Sequence, residues 1–521
     1  MQSFEWNIPR SPIQGCRTLV SRWARVGVII LAAALPLVPA TGAETIPDDA
    51  PRTAPADGKT AAAQRFDELI ALINVGDREK LLAYIKSTFT PGMMVPTPES
   101  IGDFLLGQYT KLGGLTPRRT LQSSDQQVTV LVQAVRQPEK WLRFVVGVEP
   151  SSPHRVQGVF LFPASAAMAE TSADPVTESD LTGRLEAMVD RMAADDSFSG
   201  VVLLARNGRP VVRKAYGEAD KSAHRPNRPE TRFSFASLGK MFTAVAVAQL
   251  AEQGKVRYTD RIGQYLPDWL SPQAVESVTV EQLLMHTSGL GDYLGEVLDY
   301  PQESNYESLA DYRPIAARDV PAFSPGSKFR YSNIGYLLLG ALVEKLSGQS
   351  YFDYVHDHIF GPAGMTGTGF PLKTAPMDDR AVGYDRAEDP AGGGSWKDTA
   401  ALMVGRGTSA GGGFTTADDL LAFAVALQSG KLLRPESVNQ LLDPRVNMEG
   451  TGKRYGYGFT IMRRKSGAKV YGHEGGFPGV GALLEVDPES GYTLVVLSNY
   501  TAAATPVADA WRDLLSRVSS Q

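Results

Sequence analysis

Ser237 and Lys240 stand three residues apart at the head of the stretch "FASLGKMFTAVAVAQL". Apolar residues recur through this stretch at helical spacing, which predicts a helix. One turn apart, a hydroxyl and an amine share a face. A lysine set between Leu238 and Met241 loses its water. Desolvation lowers its pKa, and the neutral amine can take a proton from a serine. The plainer alternative is that Ser237 is a helix N-cap, a position serine favours. The same spacing recurs at Ser466 and Lys469 in "RRKSGAKV". There the residues lie between two strand-like runs, and Ser and Gly are turn formers, so this copy reads as an exposed hairpin turn.

Two further groups could complete the chemistry. Tyr331 and Asn333 form the only Y-x-N in the chain, in "PGSKFRYSNIGYLLLGALVEKLSG" just ahead of another apolar helix. Taken alone, the tyrosine reads as a packing residue at helix entry and the asparagine as a cap. His473, Glu474 and Gly475 lie in "VYGHEGGFPGVGALLEV", on a strand-like run followed by glycines. A lone histidine on a strand reads as structural, but the glycines let another backbone lie against the strand.

In this order and at these separations, the three groups resemble the motifs of serine β-lactamases and penicillin-recognising peptidases, where S-x-x-K opens the set. Y-x-N in second place resembles the branch holding class C β-lactamases, D-Ala-D-Ala carboxypeptidases and related esterases. Flanking segments agree: "VEQLLMHTSGL", "HIFGPAGMTGTGF" and "SAGGGFTTADDLLAFAVAL". The resemblance covers residues 179–521. It implies Ser237 as acylated nucleophile and Lys240 with Tyr331 as the proton-handling pair, leaving open which is the acylation base. It implies Asn333 as a group that orients Lys240 and binds substrate. It places the backbone N–H groups of Ser237 and Gly476 as an oxyanion hole, His473 where β-lactamases carry lysine, and Gly475 beside the substrate. No cofactor and no metal is required. The third motif departs from K-T-G: a largely neutral His473 and an acidic Glu474 replace a cation and a hydroxyl. This makes the site poorer for a substrate carboxylate, so an ester or D-amino-acid peptide is expected ahead of a β-lactam. A β-lactamase, and a binding module that keeps the fold without catalysis, are the alternatives.

The elements that must position these groups are also legible. "FSGVVLLARNGRPVVRKAYGEAD" reads as a hairpin turning at Asn207-Gly208. Near the other end, "AKVYGHEGG", "VGALLEVDPESG" and "YTLVVLSNY" are strand-like, followed by a helix in "PVADAWRDLLSRV". The expected architecture is α+β: an antiparallel sheet built from both ends of this region, helices packed on it, and a helical insert between. Ahead of it, residues 61–164 give helical stretches and then three strand-like runs, which predicts a small α+β domain. By pattern it resembles the nuclear-transport-factor-like fold. Pro- and Ala-rich residues 44–60 and residues 165–178 read as linkers.

The 521 residues favour more than one domain. Hydrophobic content of 43% and charged content of 21% suit a globular protein. The formal net charge is -5, with no basic block, which argues against a nucleic-acid partner. Residues 1–43 carry arginines, then an apolar run from Val26 to Ala40, then small residues ending at Ala43. That is the pattern of a secretory signal peptide, too short and proline-broken for a comfortable membrane span, and it predicts a secreted or periplasmic protein acting on a small molecule or peptide. The one cysteine, Cys16, lies in this segment. His356 and His358 in "YVHDHIF" read as an exposed helix face rather than metal ligands.

Overall fold

The computed structural model describes residues 59–90, 97–149, 151–164, 166, 176–299, 306–376, 379–386, 395–448, 451–464 and 466–518. Residues 1–43, Cys16 among them, and most of residues 44–60 and 165–178 lie outside the described residues. Among the described residues, no helix is long and apolar enough to cross a membrane.

Helices α1 (Ala61–Val75), α2 (Arg78–Thr88) and α3 (Pro98–Leu112) open the described chain. Gly76, in the left-handed region at φ 72°, ends α1, and Asp77 caps α2 by accepting from the Glu79 and Lys80 N–H groups. Strands β1 (Leu115–Ser123), β2 (Gln127–Ala134), β3 (Trp141–Val148) and β4 (Val156–Ala164) follow as an antiparallel meander. One face of this sheet buries Val130, Val132, Phe144 and Val146 against Phe66, Leu69 and Ile73 of α1. The sequence reading missed β1. Its residues "LTPRRTLQS" are mostly polar, and the strand lies at the sheet edge with register shifts beside Pro117 and Gln122, where proline is tolerated.

The second sheet has eight strands. Its first two, β5 (Gly200–Arg206) and β6 (Arg209–Tyr216), come from near the start of the region. The others are β7 (Val446–Met448), β8 (Lys453–Tyr455), β9 (Thr460–Arg463), β10 (Lys469–Phe477), β11 (Val480–Asp487) and β12 (Tyr492–Ser498). The order is β7-β8-β9-β10-β11-β12-β5-β6, so β12 pairs with β5 and joins the two ends. Helices α4 (Leu181–Ala194), α5 (Gly239–Glu252), α6 (Asn333–Ser347), α7 (Ala417–Gln428) and α8 (Ala504–Ser516) flank it. Alternation sorts the strand residues between two cores. Val202, Leu204, Leu494 and Val496 pack with α4 and α8, while Val201, Leu203, Val495 and Leu497 pack with α5 and α7. Because both faces are covered, these strands read as nearly continuous apolar runs.

Candidate active site

Helix α5 is buried from Gly239 through Ala248. It delivers Lys240 into the interior and leaves Ser237, on the tight turn Ala236–Leu238 ahead of it, half-buried. No side chain caps this end of the helix, so Ser237 is not the N-cap that its position allows. Its hydroxyl lies 3.4 Å from Lys240 Nζ and beside the Tyr331 phenol. Ala236 is held at φ 42°, a region that costs a non-glycine residue energy. The glycine run 411–413 makes this turn possible. A Cβ on Gly411 would stand 2.1 Å from the Ala236 carbonyl oxygen, and one on Gly413 would stand 2.4 Å from the Phe235 ring. Gly411→Ala must therefore move the backbone beside Ser237. A misplacement of that order is expected to lower kcat by roughly 10²-fold, measured on the folded fraction of the variant.

Lys240 is fully buried, and its ammonium atom has two short partners, Asn333 Oδ1 and the Ala410 carbonyl oxygen, each at 2.7 Å. Both are acceptors, so the amine must donate to both. Burial lowers the Lys240 pKa to about 7, against a smaller opposing pull from Asp292. A neutral amine has two N–H bonds and one lone pair. With both N–H bonds committed, the lone pair is left for the remaining, longer contact, the Ser237 hydroxyl. Asn333 in turn donates to Asp292 Oδ2 at 2.7 Å, which fixes its amide orientation. Asn333 is not the helix cap; Ser332 accepts from the Gly335 N–H in that role.

Tyr331 lies under the Lys240 ammonium, 4.7 Å from ring centroid to Nζ. Burial raises its pKa above the ordinary phenol value. His286 stacks on it at 4.2 Å and 30°. The His286 Nδ1 accepts from the Ser332 N–H at 3.0 Å, and burial keeps this imidazole neutral. The histidine of "MHTSGL" thus anchors the loop carrying Tyr331 and Asn333.

On β10, Gly475 lies against the Ser237 turn: a Cβ there would stand 3.0 Å from the Ser237 nitrogen and 2.7 Å from the Phe235 carbonyl oxygen. Gly476 faces open space and lines the cleft with Ser237 and Asn333. His473 is 5% exposed, and its ring is engaged on both sides. Nδ1 donates to the Glu474 carbonyl, so Nε2 accepts from the Tyr455 hydroxyl at 2.9 Å. Burial, with the nearby Lys240 charge, lowers its pKa to about 3. The imidazole is neutral and holds Tyr455 rather than presenting a free N–H to the cleft. The expectation that Glu474 adds negative charge to the site needs correction. Strand alternation turns its side chain away, and Lys453 at 2.6 Å and Arg512 at 3.3 Å hold its carboxyl well below the usual range.

Sequence reasoning missed Asp292, the Ala410 carbonyl, Gly411 and Tyr455. The cleft beside Ser237 is lined by apolar groups that include Tyr293, Leu294, Leu402, Met403 and Phe477, and by the charged Lys373 and Arg406. Ser466 lies on an exposed turn, and Lys469 reaches the Leu442 carbonyl at 3.5 Å, so that copy of the motif makes no site. His356 pairs with Asp357 at 2.9 Å and His358 with Gln349 at 3.1 Å, both exposed.

A family model described as Beta-lactamase matches residues 185–518. Penicillin-binding protein 4* of Bacillus subtilis (strain 168) is 28% identical over 324 residues, covering 60% of this chain and 71% of that protein. Esterase EstB of Burkholderia gladioli is 29% identical over 388 residues, covering 67% of this chain and 98% of that protein. Among solved structures, the penicillin binding protein from Bacillus halodurans superposes with a TM-score of 0.56 at 32% identity, over 61% of this chain and 96% of that one. The D-stereospecific amidohydrolase from Streptomyces sp. does so with a TM-score of 0.53 at 25% identity, over 64% and 97%.

Proposed function

The chain belongs to the Beta-lactamase family, and on that premise we propose that it is a serine hydrolase forming a covalent acyl-enzyme on neutral esters or D-amino-acid amides and peptides, ahead of anionic β-lactams. The observation that carries the reading is Lys240 Nζ, 2.7 Å from the Asn333 and Ala410 acceptors and 3.4 Å from the Ser237 hydroxyl, an arrangement that in the neutral amine leaves the lone pair for that hydroxyl. In this mechanism Ser237 Oγ attacks the substrate carbonyl carbon as its proton passes to Lys240 Nζ. The carbonyl oxygen takes the negative charge between the Ser237 and Gly476 N–H groups, an interaction worth about 3–4 kcal/mol per donor at the transition state. The intermediate collapses, the bond to the leaving group breaks, and the proton taken up by Lys240 passes to that group. Water then attacks the acyl carbon by the same route in reverse, giving the acid and free Ser237. Tyr331 carries its proton at neutral pH, which favours Lys240 over Tyr331 as the base.

The substrate preference rests on His473, neutral and with both ring nitrogens engaged, and on the apolar cleft lining. His473 offers no cation there, and the two cations of the cleft lining are engaged on backbone carbonyls, Lys373 on Met403 and Arg406 on Phe370. The names of relatives that include an esterase and an amidohydrolase support it further. A neutral activated ester is expected to exceed a penicillin or cephalosporin of similar acylating power in kcat/KM. Steady-state hydrolysis of both series checks this, and a β-lactam preference would reverse the ranking. Secretion or periplasmic residence is part of the proposal and is supported by the leader-like residues 1–43.

A further inference from the structure

We propose that the N-terminal unit is a positioning element of the active site, acting on the strand of the third motif through a partly buried chain of charges. The proposal rests on the hydrolase reading for its kinetic consequence. Strand β3 sends Phe144 and Val146 into the N-terminal core and Arg143, 2% exposed, to the other face of that sheet. There its guanidinium meets Asp509 of α8. Arg119 of β1 reaches Asp513 of the same helix at 2.7 Å.

The Asp509 carboxylate is divided between two arginines: Oδ2 faces Arg143, and Oδ1 accepts from Arg512 Nη1 at 3.0 Å. Arg512 also holds Glu485 of β11 at 2.6 Å and Glu474 of β10 at 3.3 Å. Lys453 of β8 closes the chain on Glu474 at 2.6 Å. Arg143, Arg512 and Lys453 thus stand against Asp509, Glu485 and Glu474. Arg143 and Glu485 are the buried members of the set, and removing a buried charge leaves its partners uncompensated, so the remaining groups must rearrange. Glu474 lies between His473 and Gly475. The Gly475 backbone leaves no room for a Cβ beside the Ser237 nitrogen, so a small shift of Glu474 moves the strand against the nucleophile.

Arg143 is therefore a positioning residue, and so is Glu474. The test uses the full chain with Arg143→Met, Glu474→Gln and the double variant. It reads kcat and KM on a neutral p-nitrophenyl ester, and amide hydrogen exchange in residues 469–477. Each single variant is expected to lower kcat about threefold to thirtyfold with KM near wild type. The double variant should lose little more than the worse single, because both act along one chain. Exchange at Gly475 and Gly476 should quicken in Arg143→Met, and Arg143→Lys should restore most of kcat. Arg78→Ala, which breaks an exposed pair with Asp103 on the same unit, should change neither readout. If Arg143→Met does not fold, Asp509→Asn carries the same test with the shape kept. Unchanged exchange with unchanged kcat, or fully additive losses, would overturn the proposal. A wild-type chain without esterase activity would count against the hydrolase reading alone, and the exchange measurement would still decide the coupling.

Discussion

Ser237→Ala is expected to lower kcat/KM for an activated ester by about five to six orders of magnitude, the scale seen when a serine nucleophile is removed from a comparable hydrolase. Ser466→Ala is expected to leave it near the wild-type value. The contrast follows from surroundings rather than from sequence. Both serines precede a lysine by three residues. Only Ser237 has that lysine buried, with its two N–H bonds taken by Asn333 and Ala410. Lys469 spends its reach on the Leu442 carbonyl, and Ser466 accepts from the Ala468 N–H on an exposed turn. Comparable loss from Ser466→Ala would remove the assignment of the nucleophile.

The second large effect is on Lys240. Only the neutral amine has a lone pair, so the acylation rate should follow its deprotonated fraction. With the pKa lowered to about 7 by burial, kcat/KM should fall about tenfold per pH unit below that value and level off above it. His473 contributes no limb near neutrality, since its pKa is lowered to about 3. Burial raises the pKa of Tyr331, so a phenolate base would place the rise on the alkaline side. Lys240→Arg keeps the charge at every accessible pH. It should cost about 10²- to 10⁴-fold and abolish the limb near 7. A wild-type profile that rises only in the alkaline range would transfer the base role to Tyr331.

The parts of the site that the sequence made visible are those whose chemistry is local. Ser237 and Lys240 share one helical turn, and Tyr331 and Asn333 share one loop. Strand alternation alone sets His473 and Glu474 on opposite faces. The partners that tune these groups come from far along the chain. Ala410 acts through a carbonyl, which has no side-chain signature, and "GGGF" showed only that it is no phosphate loop. The structure adds that Gly411 and Gly413 are the surface on which the strained Ala236 turn rests. The charge on Glu474 was visible, but its neutralisation by Lys453 and Arg512 depends on β8 and α8 folding back over β10. The sheet joining β12 to β5 was legible because both runs are apolar on both faces. Polar β1 and the short strands β7 and β8 carry no such pattern and emerge only through their neighbours.

Hydrolysis by this site passes through a covalent acyl-enzyme at Ser237. The most direct test is intact mass of the full chain, quenched in acid within the first turnovers on a slowly deacylating activated ester, followed by peptide mapping. One adduct of the acyl mass per chain is expected, located on the peptide carrying Ser237 and absent from Ser237→Ala. Turnover of the ester with no adduct at any quench time, or an adduct on another residue, would contradict it. No turnover and no adduct with any ester, amide or β-lactam would favour a binding protein that keeps the fold without the chemistry.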